Sequence, residues 1–260
     1  MTLSRLRATL VLLSFAGLTI PLMPVQQFFV WFWPRMAGRF PMYYHRLVLR
    51  ILGVRVEIDG EALKNGPAII AANHVSWLDI VILSAMAPVS FIAKRDVKSW
   101  PFFGALAQLQ RTVFVDRNRR HTTASSRDEM QERLAAGDVL VLFAEGTSGD
   151  GTRVLPFKST FFAAAEHPGV SVQPLSVVYT GHRNLPMTRR QRPLYAWYGD
   201  MDMPPHLWAA MAHGPIEVKV ICHKPLSLSD IGDRKSLARR AEEIVRQGLV
   251  QSLHGPVKMS

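Results

Sequence analysis

The chain has 260 residues, 31 Lys and Arg against 20 Asp and Glu, a formal net charge of +11, and 48% apolar residues. That apolar content excludes a disordered chain and suffices for one large core, and a single cysteine, Cys222, excludes an internal disulfide and a cysteine-rich zinc site. The positive excess favours anionic partners: nucleic acid, anionic lipid headgroups or a phosphorylated substrate.

Residues 1–50 read as a helical membrane-associated segment and residues 51–260 as one α/β domain. Leu10 to Trp33 is almost wholly apolar and long enough to cross a bilayer. Pro21 and Pro24 weaken a straight spanning helix, so two half-segments lying in one leaflet fit as well. Phe28-Phe29-Val30-Trp31-Phe32-Trp33 has the make-up of an interfacial belt. No small-residue cleavage site follows the first apolar run, which argues against a removed signal peptide. Arg5 and Arg7 precede the segment, while Arg35, Arg39, Arg46 and Arg50 follow it. That bias places the domain on the cytoplasmic face of the inner membrane. An ordinary buried helix pair is the alternative.

Beyond it, short apolar runs alternate with helical patterns. Val54–Ile58 and Ala68–Ala72 read as strands, the second continuous enough to be buried on both faces. Ser76 is placed as the N-cap of a helix through Met86, ended before Pro88. Val89–Ala93 is a strand, Ser99-Trp100-Pro101 opens a helix, and Thr112–Val115 is a strand. Ser125–Ala136 is a polar helix closed by Gly137. Asp138–Ala144 is a strand, Pro156–Glu166 a helix and Val170–Tyr179 a strand. Leu194–Tyr198 reads as strand, Pro204–Ala212 as helix, Ile216–Cys222 as strand and Lys235–Leu253 as a terminal helix. The alternation predicts a mostly parallel or mixed sheet flanked by helices on both faces. Cys222, within a strand, reads as a buried thiol rather than a nucleophile.

Three stretches carry chemistry. The first is Asn73-His74-Val75-Ser76-Trp77-Leu78-Asp79. On one helix, positions five apart diverge by roughly 140°, so His74 and Asp79 meet only if His74 precedes the helix. Ser76 and Asp79 form a capping-box pattern that starts the helix after His74. His74 then stands at a strand's carboxyl end, where open α/β sheets bind ligands. A histidine oriented by an acid is the minimum equipment of a general base. The same residues equally fit a helix-capping Asp79 and a solvated His74.

In the second stretch, Thr112 to Arg120, a strand runs into a basic cluster. Arg117 is its first guanidinium and suits bidentate phosphate contact; a solvated basic loop is the commoner meaning of such a run. The third, Phe143 to Arg153, is a strand entering a loop with Glu145, Gly146, Thr147, Ser148, Gly149, Asp150, Gly151 and Arg153. Its glycines let backbone N–H groups approach an anion, and Lys158 follows closely. A turn without a ligand is the alternative. The sequence has no nucleophile elbow, no dinucleotide fingerprint after a strand and no paired-histidine zinc motif. The other histidines are isolated. Basic residues are scattered rather than grouped, which disfavours nucleic acid.

In this order, these stretches resemble the glycerolipid acyltransferase family, which includes 1-acyl-sn-glycerol-3-phosphate acyltransferases. Asn73-His74 through Asp79 is similar to its N-H-x4-D block, Thr112–Arg117 to its second block, Phe143–Ser148 to its F-P-E-G-T-R-S block, and Val172-Gln173-Pro174-Leu175 to its fourth. The likeness spans about residues 50 to 225. Arg111 stands where the second block usually has glycine, Ala144 replaces the third block's proline, and Ser148 replaces its arginine. Arg153 is a candidate to supply the missing charge from across the Gly149-Asp150-Gly151 loop.

The resemblance implies acyl transfer from acyl-CoA or acyl carrier protein to the sn-2 hydroxyl of 1-acyl-sn-glycerol-3-phosphate, giving phosphatidic acid. His74 would be the base and Asp79 its orienter. Arg117, Gly146, Thr147, Arg153 and Lys158 would place the acceptor's phosphate, with Glu145 orienting donors such as Arg117. No metal or other cofactor is expected, and membrane lipids are the surroundings. The altered third block keeps open another lyso-lipid acceptor, such as lyso-ornithine lipid, which has no phosphate. A lipid-binding module without catalysis and a thioesterase using the same base on water are the readings from other classes.

Overall fold

In a computed structural model, described over residues 3–63, 65–115 and 120–254, the expected α/β architecture is present. Two helices come first, α1 (Leu3–Phe32) and α2 (Pro34–Leu52). Then follow β1 (Val54–Asp59), β2 (Ala68–Ala72), α3 (Leu78–Met86), β3 (Ser90–Lys94), α4 (Phe103–Leu109), β4 (Val113–Val115), α5 (Arg120–Ala135) and β5 (Val139–Phe143). The rest comprises β6 (Ser171–His182), β7 (Leu185–Pro186), α6 (Met203–His213), β8 (Ile216–Cys222), β9 (Leu226–Ser227), α7 (Leu228–Ile231) and α8 (Arg234–His254).

The sheet runs β1-β8-β6-β2-β5-β3-β4, with β7 and β9 as short additions to β6. β6 and β8 are antiparallel, and every other neighbouring pair along that path is parallel. The sheet is therefore mixed. Side chains alternate along a strand, so Ala68, Ile70 and Ala72 of β2 pack into one layer with α1, α2, α3 and α6. Ile69 and Ala71 pack into the other, against Leu134 of α5 and Leu237, Ala238, Ala241, Val245 and Leu249 of α8. Every residue of β2 is buried, which explains its uninterrupted apolar run. β2, β5, β3 and β4 all deliver their carboxyl ends to the same edge.

Three expectations need correction. Leu194–Tyr198 is no strand. Arg192–Leu194 is one 3-10 turn, the N–H groups of Tyr195 and Ala196 donate to the Arg192 carbonyl, and that of Trp197 donates to Val75. Tyr195 and Ala196 are buried there by a turn rather than a ladder. The segment after Pro156 is a 3-10 helix beginning only at Ser159. Arg95–Ser99 forms a separate 3-10 turn, and the helix expected from Ser99 begins at Phe103. Arg111 has φ 59°, a left-handed conformation that glycine adopts without strain, which accounts for glycine being usual there in the resembling family.

α1 continues through Pro21 and Pro24 as one helix, not two halves, and is the one described helix long and apolar enough to cross a membrane. It is fixed to the domain along much of its length. Arg7 donates to the carbonyls of Leu52 and Met211, Thr19 and Tyr44 share a 2.8 Å hydrogen bond, and Gln26 donates to the carbonyls of Ala37 and Leu109. Its other flank is exposed and apolar, including Leu10, Leu13, Ile20, Phe28, Trp31 and Phe32.

Candidate active site

The site begins where β2 ends. Asn73 uses its side-chain amide as a strand would use its backbone. Its Nδ2 donates to the Val177 carbonyl at 3.0 Å, and its Oδ1 accepts from the Val177 N–H at 2.8 Å. This pins the chain to β6 just before it turns. His74 follows in the turn and Asp79 lies in the first turn of α3. His74 Nδ1 and Asp79 Oδ2 are 2.8 Å apart.

Asp79 is fully buried, and three further donors converge on it. The N–H groups of Val75 and Ser76 donate to Oδ2 at 2.6 and 2.9 Å, and the Tyr179 hydroxyl donates to Oδ1 at 2.8 Å. The arrangement suits a carboxylate, which only accepts. His74 Nδ1 must then carry the hydrogen, and a neutral ring keeps its lone pair on Nε2. Both open readings of Asp79 thus hold together: it braces the helix entrance and orients the imidazole. The capping box is half made. Asp79 reaches back to the Ser76 N–H, but its own N–H donates to the Ser76 carbonyl rather than to the hydroxyl, and α3 starts at Leu78, correcting the Ser76 N-cap assignment.

The imidazole lies flat on Phe143, with ring centroids 3.9 Å apart and 15° between planes. Its side chain is 17% exposed, so the ring still reaches solvent. The main chain of His74 is held on both sides. Its N–H donates to Glu145 Oε2 at 3.1 Å, and its carbonyl accepts from the Gly149 N–H at 2.8 Å.

Glu145 holds more than the His74 N–H. Its second oxygen accepts from the Leu155 N–H at 2.9 Å, so both oxygens brace backbone. Burial pushes its carboxyl up to about 8. The N–H groups of Leu155 and His74 oppose the rise, and Asp79 and Glu242 add to it. For a carboxyl raised in the folded state, the stabilisation is complete below the unfolded value, near 4.5, and is lost as pH rises through about 8. The stability of wild type relative to Glu145→Gln, from urea midpoints, should therefore fall between about pH 5 and about pH 9. A difference growing with pH would contradict this.

An acyltransferase family model matches residues 54–178 of the chain. A lyso-ornithine lipid O-acyltransferase of Brucella abortus is 42% identical over 257 residues, covering 96% of each chain. The chain belongs to the acyltransferase family. A lyso-ornithine lipid O-acyltransferase of Rhizobium meliloti is 41% identical, covering 91% of this acyltransferase and 84% of the relative. A 1-acyl-sn-glycerol-3-phosphate acyltransferase of Neisseria meningitidis is 34% identical over 82% of each chain. The fold is shared with the crystal structure of the 1-acyl-sn-glycerophosphate acyltransferase PlsC from Thermotoga maritima, at a TM-score of 0.70 and 21% identity, over 98% of this acyltransferase and 100% of that chain.

Of the other expected site residues, Gly146 is buried, with φ 73°, at the turn out of β5. Thr147, Arg153 and Lys158 of the acyltransferase are exposed; burial works to raise the Asp150 carboxyl, but the hydrogen bonds from Thr152, with the charges of Arg153 and Arg192, hold it below its usual value. Those bonds come from the N–H and hydroxyl of Thr152. Arg117 lies outside the described residues. Burial pushes the Cys222 thiol up to about 11, with Asp59 adding to the rise, in keeping with an inert strand cysteine. Sequence reading missed Asn73 as a brace, Tyr179 as a donor to Asp79, and Arg192. Tyr179 shares a face of β6 with Leu175 and Val177, so period-2 alternation placed it in the core but not against Asp79.

Proposed function

We propose that the chain esterifies the hydroxyl of a lyso-lipid with a fatty acyl group taken directly from an acyl thioester, and that the acceptor is lyso-ornithine lipid. One observation carries the chemistry: an imidazole held through Nδ1 by buried Asp79, with its ring open to solvent at the strands' carboxyl edge. Nε2 takes the acceptor hydroxyl's proton as the oxygen attacks the thioester carbonyl. Asp79 stabilises the imidazolium that forms. The tetrahedral intermediate then expels the donor's thiolate, which receives the proton from Nε2. A C–O bond forms, a C–S bond breaks, and no metal or other cofactor is required. The donor is acyl-CoA or acyl carrier protein.

The choice of acceptor rests on two supports. The Brucella and Rhizobium relatives carry that name at higher identity than the Neisseria one. Ser148 also stands where the resembling family has a phosphate-directed arginine, and an ornithine headgroup has a carboxylate but no phosphate. Arg117, Gly146 and Thr147 remain the headgroup contacts that the motif order suggests. The exposed flank of α1 seats the enzyme in the inner membrane's cytoplasmic leaflet. Because α1 is held against the domain from Arg7 to Gln26, the helix lies beside the domain within the bilayer interface instead of standing free across it.

Tyr179 is a positioning residue in this scheme. Tyr179→Phe should lower kcat by roughly ten- to hundredfold, the usual worth of a hydrogen bond to a charged group. The KM of both substrates should stay unchanged. A rise in KM at constant kcat would assign Tyr179 to binding instead. The function itself is tested by giving purified protein a labelled acyl thioester with either lyso-ornithine lipid or lysophosphatidate. Ornithine lipid as the dominant product is expected; phosphatidate as the dominant product would reassign the acceptor.

A further inference from the structure

Arg192 sits outside all four sequence blocks, in the 3-10 turn following β7, yet its side chain reaches the glycine loop beside His74. It is 9% exposed, and its Nη1 donates to the Gly151 carbonyl at 3.2 Å. A β-carbon placed on Gly151 would stand 3.0 Å from Val75 and 3.5 Å from Arg192 Nη1, so the guanidinium, the loop and the residue after His74 are packed together. The same loop is tied to the histidine by the bond from the Gly149 N–H to the His74 carbonyl.

The electrostatics of this group are incomplete. A guanidinium presents five donors and stays charged. Among the described residues, its side chain makes one hydrogen bond, and no carboxylate lies within ion-pair distance. Asp150 acts on it from farther away, and one oxygen of that carboxylate, Oδ1, accepts from both the N–H and the hydroxyl of Thr152. Among the described residues, Nε and Nη2 of Arg192 have no hydrogen-bond partner, yet neither is sealed from solvent. Burying a cation is costly without a matching anion. The unused edge of the fork has the geometry for bidentate contact with a carboxylate or phosphate.

We propose that Arg192 binds the anionic group of the acceptor's headgroup, the carboxylate of lyso-ornithine lipid, and so takes the place of the arginine absent at Ser148. This assignment rests on the lyso-lipid acyltransferase reading above and adds a specificity residue to it. The fork holds the headgroup on one side of the glycine loop while the acceptor's hydroxyl reaches His74 on the other. Arg153, exposed and farther out on the loop, is not needed for this contact.

The test is a cycle between enzyme and acceptor. Wild type, Arg192→Gln and Arg192→Lys are each assayed with lyso-ornithine lipid and its carboxyl methyl ester. They are also assayed with lysophosphatidate and the uncharged monoacylglycerol. Wild type should show an acceptor KM roughly ten- to hundredfold lower for the anionic member of the pair it uses. Arg192→Gln should erase that preference while leaving the KM of the acyl thioester unchanged, and Arg192→Lys should keep part of it. Should Arg192→Gln fail to fold, the Lys variant reads the same cycle, and full retention of the preference there overturns the proposal. It is also overturned if wild type does not distinguish charged from neutral acceptors, or if Arg192→Gln distinguishes them as wild type does. A fall in kcat alone, equal for all acceptors, would make Arg192 a support for the loop and likewise overturn it. If lysophosphatidate is the acceptor used, the proposed substrate falls, and the phosphate pair then decides the role of Arg192.

Discussion

Replacing His74 with alanine is expected to lower kcat by about 10²- to 10⁴-fold, the span that general-base catalysis ordinarily supplies, while leaving the fold intact. The reasons are local. The His74 backbone is held by Glu145 and Gly149 whatever the side chain, and the partly exposed imidazole caps no helix and fills no deep cavity. Its removal takes away the Nε2 lone pair that receives the acceptor's proton, and no other described histidine shares a bond with Asp79. Product formation from a labelled thioester, with a urea melt as control, makes the measurement. Turnover within about tenfold of wild type in a folded His74→Ala protein would remove the base assignment.

Asp79→Ala should damage both properties. Four donors converge on this carboxylate, three of them from the fully buried Tyr179 hydroxyl and the Val75 and Ser76 backbone. Alanine would leave them without an acceptor in a site closed to water, at about 1–3 kcal/mol for each one left unsatisfied. Asp79→Asn keeps the shape but not the chemistry. An amide has one acceptor oxygen, and its nitrogen donates toward groups that are themselves donors. To accept from that amide, the imidazole would have to move its proton to Nε2, which ends its use as a base. Asp79→Asn should therefore lose roughly 10²- to 10⁴-fold in kcat and also unfold at lower urea. The contrast with His74→Ala is the diagnostic part: one variant loses activity alone, the other activity and stability together. An Asp79→Ala protein as stable as wild type would show that the carboxylate does not organise this turn.

What could be read from the sequence followed how local each signal was. The apolar run of β2, the strand-to-helix turn at His74 and the stripe of α8 are set by neighbours a few positions away, and their periodicity gave strand, turn and helix correctly. The meeting of His74 and Asp79 was also local, requiring only that the helix start after the histidine. Contacts across about 70 to 100 positions left no such mark. Glu145 read as an acid of the glycine loop, orienting donors such as Arg117, because nothing in the sequence says that its oxygens face the N–H groups of His74 and Leu155. Tyr179 read as one more strand residue for the same reason. Leu194–Tyr198 shows tertiary structure overriding β-propensity, since Val75 claims the Trp197 N–H. In α1, two prolines remove two donors, yet the helix persists with Gln26, Thr19 and Arg7 anchoring it to its neighbours.

The most direct test of the chemistry is to mix wild-type protein with a labelled acyl thioester, once with a lyso-lipid acceptor and once without, and to follow the label into ester, free fatty acid and protein. A base acting on the lipid's hydroxyl should send label into the ester only when acceptor is present, with little free acid and none on the protein. Label bound covalently to the protein, or fatty acid released as fast without acceptor as ester is formed with it, would contradict direct transfer through His74.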